Sequence, residues 1–276
     1  MRQRACQRRY RGVVTAVHAR QAEGEDAFPA ARGRQATVLR ATALSKRVGR
    51  GRATRQILQG LDLAVDRGEM VAVLGRSGSG KSTLLHLLGG LDRPDSGRID
   101  VAGESLTDAS ERALSRIRLR RLGFIFQSFA LIDELSGAEN VMLAACLPGA
   151  PAGGRERAAE LIDRLGVAAV ADRLPHELSG GEQQRFAIAR ALVNDPVLVL
   201  ADEATGSLDV RSGAAVLALL RGLTDEGRAV VLVTHEAQAA AVADRVLRLD
   251  DGRLQPEAHS SAPRPQARAR RSRSAL

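Results

Sequence analysis

Residues 75–82, Gly75-Arg76-Ser77-Gly78-Ser79-Gly80-Lys81-Ser82, carry the spacing G-x-x-x-x-G-K-[ST] of a phosphate-binding loop. The chemistry follows from the residue types. The three glycines let the backbone curl so that successive N–H groups point inward at phosphate oxygens. Lys81 offers a point charge to the β- and γ-phosphates, and the Ser82 hydroxyl is a ligand for Mg²⁺. The flanks agree with this reading. The apolar run Glu69–Leu74 reads as a buried strand, and Thr83–Leu88 are good helix formers behind a helix start at Lys81. The positive end of that helix would face the same anion. A phosphate loop alone is compatible with a GTPase, a small-molecule kinase or a transporter motor.

A second constellation lies a hundred residues on. Leu178-Ser179-Gly180-Gly181-Glu182-Gln183-Gln184-Arg185 precedes a predicted helix, Phe186–Val193, so Ser179, Gly180 and Gly181 offer a hydroxyl and bare N–H groups at a helix start. Two phosphate sites on one subunit imply that each nucleotide is held by two chains. Next, Val197–Leu200 and Ala201 lead into Asp202 and Glu203. A buried strand there would carry Asp202 to the Mg²⁺ beside Ser82 and leave Glu203 placed to polarise an attacking water. The predicted strand Ala229–Thr234 ends at His235, within reach of a γ-phosphate.

These residues need a scaffold, and the chain of 276 residues, 44% apolar, is long enough to build one from Leu, Val, Ala and Ile, aromatics being only 2%. Strand and helix alternate from Ala36. Predicted strands are Thr37–Leu44, Ile57–Val65, Arg98–Val101 and Gly123–Phe126, with turns at Val48–Arg52 and Asp92–Gly97. Residues 108–121 read as a charged helix. Residues 128–177 read as an inserted helical unit, with helices at Ala138–Leu147 and Arg155–Leu165 separated by Pro148, Pro151, Gly153 and Gly154. Strand–helix alternation resumes at Pro196 and continues to Leu254.

The net charge of +9 is unevenly spread. Residues 1–36 hold eight Arg and three acids, residues 253–276 hold six Arg and one Glu, and the segment between is nearly neutral. The basicity therefore belongs to two tails, 1–35 and 255–276, expected to be disordered and solvated, rather than to a specific nucleic-acid surface. No run approaches the roughly 18 apolar residues of a membrane-spanning helix. Cys6 and Cys146 form no metal-binding spacing and are expected to be free thiols.

Taken together, residues 36–254 resemble the ATP-binding subunit of an ABC transporter. The motifs occur in the family's order: phosphate loop 75–82, Gln127, signature 178–182, Walker B 197–203, Ser207-Leu208-Asp209 and His235. Leu88–Pro94, Gly123–Phe129 and Ala138–Val141 are most similar to the lipoprotein-release and macrolide-export branch (LolD-, MacB- and YbbA-like). The resemblance implies an α/β fold: a P-loop NTPase core with a mixed, mainly parallel sheet, an N-terminal antiparallel β subdomain and an inserted helical subdomain at about 128–177. It implies ATP and Mg²⁺ as cofactors, with Gly75–Ser82, Thr83, Gln127, Ser179, Gly180, Gly181 and Asp202 around the nucleotide and Ser82, Gln127 and Asp202 on the metal. Glu203, His235 and Lys81 would be catalytic. It implies a head-to-tail homodimer and an integral-membrane permease of the FtsX-like kind as partners, with the subunit peripheral on the cytoplasmic face of the inner membrane. The alternative is a soluble ABC ATPase switch, whose usual long coiled-coil insertions or tandem units are missing here. The sequence departs from the family pattern at Val48, where an adenine-stacking Tyr is common, at Ala204 in place of Pro, and at Ser207 in place of Asn.

Overall fold

The computed structural model describes residues 36–49 and 54–257. The tails expected to be disordered lie almost wholly outside these residues, as does most of the turn expected at 48–52. Two sheets organise the rest. The first is antiparallel: β1 (Thr37–Val48), β2 (Arg55–Asp66), β4 (Ser96–Val101) and β5 (Glu104–Ser105), in the order β2-β1-β4-β5. Its inward face carries Leu39, Ala41, Leu58, Leu61, Leu63, Val65, Ile99 and Val101. The step from Leu58 to Leu61 breaks the simple alternation that the sequence leads one to expect. Gly60, at φ +58°, takes up a bulge there, and the strand then resumes its inward register.

The second sheet is the scaffold of the site. It contains β3 (Met70–Leu74), β6 (Leu122–Ile125), β7 (Leu198–Asp202), β8 (Ala229–Thr234), β9 (Arg245–Asp250) and β10 (Arg253–Pro256), in the order β10-β9-β3-β8-β7-β6. All neighbours are parallel except the edge pair β9/β10. The near-continuous apolar sequences of β3, β7 and β8 follow from burial on both faces. Alternate residues divide between two cores. Val71, Val73, Leu198, Leu200, Val231 and Val233 meet helix α1 (Lys81–Leu88) and the antiparallel sheet. Met70, Val199, Ala201, Val230 and Leu232 meet the helical side of the molecule.

That side contains α3 (Gly137–Ala145), α4 (Gly154–Arg164) and α5 (Gly180–Leu192), packed on one another, and α6 (Val210–Asp225) beneath the sheet. The charged helix α2 (Glu111–Arg121) precedes β6, and a short α7 (Ala237–Ala240) follows β8. Helix α5 starts six residues earlier than the sequence pattern indicates, because Ser179 caps it and Gly180 and Gly181 already have helical geometry. Cys146 is the exposed C-cap of α3 and a free thiol, whereas Cys6 lies outside the described residues. The ordered chain also continues past Leu254: β10 runs to Pro256, and Glu257 forms two hydrogen bonds of 2.6 Å with Arg248.

In a parallel sheet the strands' C-terminal ends share one edge, and the connections that leave it converge there. Here those connections begin with the phosphate loop after β3, Gln127 after β6, Glu203 after β7 and His235 after β8.

Candidate functional site: a phosphate-binding cleft

The phosphate loop links β3 to α1. Gly78 and Gly80 take φ of +77° and +102°, and a Cβ on Gly75 would lie 2.7 Å from Ser79 Oγ and 2.9 Å from the Leu249 carbonyl. Glycine is therefore required by close approach at one end of the loop and by backbone conformation at the other. No side chain caps α1, so its first-turn N–H groups are left facing the loop. The Lys81 ammonium is 6% exposed and donates to the carbonyls of Gly75 (2.9 Å) and Arg76 (3.1 Å), lying across the loop it closes.

Two acids meet this lysine from β7. Asp202 ends the strand, and its Oδ1 is buried with no hydrogen-bond partner among the described residues. Burial pushes its carboxyl above the usual range, a hydrogen bond with Ser82 pulls the other way, and the neighbouring Glu203 charge adds to the upward shift. A hydroxyl and an under-satisfied carboxylate placed side by side fit a hard divalent cation. Mg²⁺ characteristically takes one or two protein oxygens and completes its shell with phosphate and water.

Glu203 sits at φ +46°, a left-handed conformation for a residue with a side chain. Its N–H donates to Val233 O at 2.9 Å. Its carboxylate is shared: Oε1 is 3.6 Å from Lys81 Nζ, and Oε2 is 2.9 Å from His235 Nδ1 and 3.3 Å from the His235 N–H. Gln127 reaches the same cleft. Its side-chain amide lies so close over Gly206 that a Cβ there would be 3.1 Å from Nε2, and its carbonyl accepts from the Ser207 hydroxyl. Together these groups line an open cleft of about 720 Å³ that includes Gly75, Arg76, Ser77, Gly78, Lys81, Ser82, Gln127, Asp202, Glu203 and His235.

Other expected site residues do not line it. Ser79, Gly80 and Thr83 belong to the loop and helix behind its wall, and the Ser79 hydroxyl is buried without a partner among the described residues. Ser179, Gly180 and Gly181 are also absent from the cleft. Ser179 caps α5 through a reciprocal box with Glu182: its Oγ accepts from the Glu182 N–H, while Glu182 Oε2 accepts from the Ser179 N–H at 2.8 Å. The Ser179 hydroxyl also donates to Glu182 Oε2 at 2.7 Å, and this bond, together with that from the Ser179 N–H, holds the Glu182 carboxyl below its ordinary range. Gly180 lies beside Leu208 and Phe129, and Gly181 beside Ser212. The capped start of α5 thus stands outside this cleft. Val48, at the end of β1, is half exposed.

Three lining residues, Leu74, Ala237 and Arg248, were not expected from the sequence, and the last is charged. Arg248 enters the cleft from β9, directly beside Leu74 in parallel register, and is held there by Glu257. Only the strand order brings it to the phosphate loop, so no local motif could have flagged it.

Residues 58–206 match the family model described as ABC transporter. The macrolide export ATP-binding/permease protein MacB of Nitrosomonas europaea is 47% identical over 213 residues, which is 76% of this chain and 32% of that protein. The pyoverdine export ATP-binding/permease protein PvdT of Pseudomonas syringae pv. tomato is 47% identical over 211 residues, again 76% of this chain and 32% of that one. The chain therefore spans about a third of the length of the curated relatives it matches. Among solved structures, the dimeric post-hydrolysis state of the ATP-binding cassette MJ0796 bound to ADP and Pi superposes with a TM-score of 0.74 at 36% identity, covering 81% of this chain and 99% of that one. A second dimeric structure of that bacterial ABC transporter cassette gives 0.73 at 38% identity, covering 79% and 96%.

Proposed function

The chain belongs to the ABC transporter family of ATP-binding cassettes, and from that premise we propose that it is an ATPase subunit working as a head-to-tail pair around two ATP molecules. One observation carries this reading: the cleft holding Lys81, Ser82, Asp202 and Glu203 lacks the Ser179–Gly181 helix start of its own chain. A second copy, turned head to tail, would bring that N-terminus over the γ-phosphate. The dimeric cassettes of similar fold make a paired state reasonable.

Lys81 and the loop amides bind the β- and γ-phosphates, and Ser179 and Gly181 of the opposing copy close over the γ-phosphate. Ser82, Asp202 and Gln127 are the residues that would hold Mg²⁺, which when bound offsets charge on the phosphate oxygens. Glu203 orients water and accepts its proton as the water oxygen bonds to the γ-phosphorus. The bond from that phosphorus to the β-phosphate oxygen breaks, and ADP carries the electron pair away. His235 holds Glu203 through Nδ1 in this structure and steadies the γ-phosphate in the closed pair. Gln127 reports the state of the site to the α3–α4 helices.

The partner on that side would be an integral-membrane permease of the FtsX-like kind, with the subunit peripheral on the cytoplasmic face of the inner membrane. No helix among the described residues is long and apolar enough to cross a membrane. The work performed would be export, extraction of a lipoprotein or lipid, or mechanical transmission. Glu203→Gln tests the core of the proposal. It should abolish steady-state hydrolysis and trap an ATP-bound dimer, read by light scattering after gel filtration. A variant that hydrolyses ATP at the wild-type rate would overturn the assignment of the base.

A further inference from the structure

Gln184 lies on α5 within the apolar core beneath the sheet and is fully buried. Its Nε2 donates to the Ala204 carbonyl at 2.8 Å, while its Oε1 has no hydrogen-bond partner among the described residues. A half-satisfied amide is a poor way to fill apolar volume. A methionine would occupy the same space and remove that orphan oxygen, but it would leave the buried Ala204 carbonyl without its donor. What distinguishes glutamine here is the single bond it makes.

That bond falls at a sensitive place. Ala204 follows Glu203, whose left-handed φ of +46° persists only where the surroundings over-determine it. On one side, the Glu203 N–H is tied to Val233 O at 2.9 Å. On the other, the Gly206 N–H returns to Glu203 O at 2.9 Å, closing a tight turn. Ala204 is the residue between these ties, and as alanine rather than proline it has no ring to restrict its backbone. The Gln184 amide grips it from below.

We propose that Gln184 is a positioning residue for hydrolysis: through the Ala204 carbonyl it keeps the Glu203 backbone in the conformation that brings its carboxylate to both Lys81 and His235. This rests on Glu203 being the hydrolytic carboxylate. Gln184 touches neither nucleotide nor water and acts only through the turn.

The test compares Gln184→Met, Gln184→Glu and Glu203→Gln in the full chain with Mg²⁺ and ATP, measuring kcat, KM and thermal unfolding. Gln184→Met should lower kcat by about tenfold and leave KM within about twofold, measured well below the melting temperature, which should itself fall modestly because the Ala204 carbonyl loses its donor. A kcat within about twofold of wild type overturns the proposal, as does a KM that rises in step with the fall in kcat. Gln184→Glu keeps the inference testable should the methionine variant not fold. A buried carboxyl has a raised pKa, and in its protonated form it can donate to Ala204 as the amide does. Its kcat relative to wild type should therefore be high at acid pH and fall as pH rises, and a flat ratio contradicts the assignment. Failure of the premise has a different signature. If Glu203→Gln retains activity, the reading of Glu203 falls; if it is inactive while Gln184→Met is unimpaired, only the role of Gln184 falls.

Discussion

Asp202 illustrates how one residue trades stability for function. Its Oδ1 is buried without a protein partner, and burial raises its pKa, so the folded chain resists carrying the charge that a cation requires. Asp202→Asn should raise the stability of the nucleotide-free protein by about 1 kcal/mol while removing the extra thermal stabilisation that Mg²⁺ and ATP together provide, both read by scanning calorimetry. Val48 poses the opposite case, a missing contribution. It is half exposed at the end of β1, where the family resemblance leads one to expect an adenine-stacking aromatic. An aromatic contact is worth roughly 0.5–1.5 kcal/mol, so Val48→Tyr should tighten ATP binding roughly 2- to 10-fold in a titration.

Helices α3 and α5 begin with the same device. Ser136 and Ser179 each head a capping box closed by a glutamate three residues on, Glu139 and Glu182. Locally the two are equivalent, and Ser136→Ala and Ser179→Ala should each cost about 1 kcal/mol in chemical denaturation. Only Ser179→Ala should also lose ATP-dependent dimerisation and turnover, because in the proposed pair the start of α5, not that of α3, closes over the γ-phosphate. The α5 cap has an acid dependence as well. The bonds from Ser179 depress the Glu182 pKa, so their contribution is present above the ordinary glutamate range and is lost as pH falls through the lowered value. A Glu182→Gln variant should show a shallower loss of stability on acidification.

On the scale of the whole molecule, the chain spans only part of the length of its relatives. It matches about a third of relatives that carry ATP-binding and permease functions in one polypeptide. Affinity purification of the full chain from detergent-solubilised membranes should recover an integral-membrane protein with a few spanning helices. Recovery of soluble partners alone would favour a non-transport switch. The proposed pairing rests on the two-sheet architecture: the C-terminal edge of the parallel sheet gathers the phosphate loop, Gln127, Glu203 and His235, whereas α5 starts on the helical side.

Much of this was readable from residue order. The phosphate loop, the strand into Asp202 and Glu203, the strand ending at His235 and the helices of the insertion all depend on short-range patterns: glycine spacing, apolar runs and helix caps. Such patterns are local, because backbone conformation and the nearest turn of helix decide them. Non-local pairing decided the rest. The order β10-β9-β3-β8-β7-β6 places Arg248 beside Leu74, and the packing of α5 against β6 brings Gln184 to Ala204. Neither pair is close in sequence or marked by a motif. The left-handed turn at Glu203 was equally hidden, since a non-glycine residue gives no sign that its surroundings will force φ positive. Only the packed sheet and helices impose that constraint.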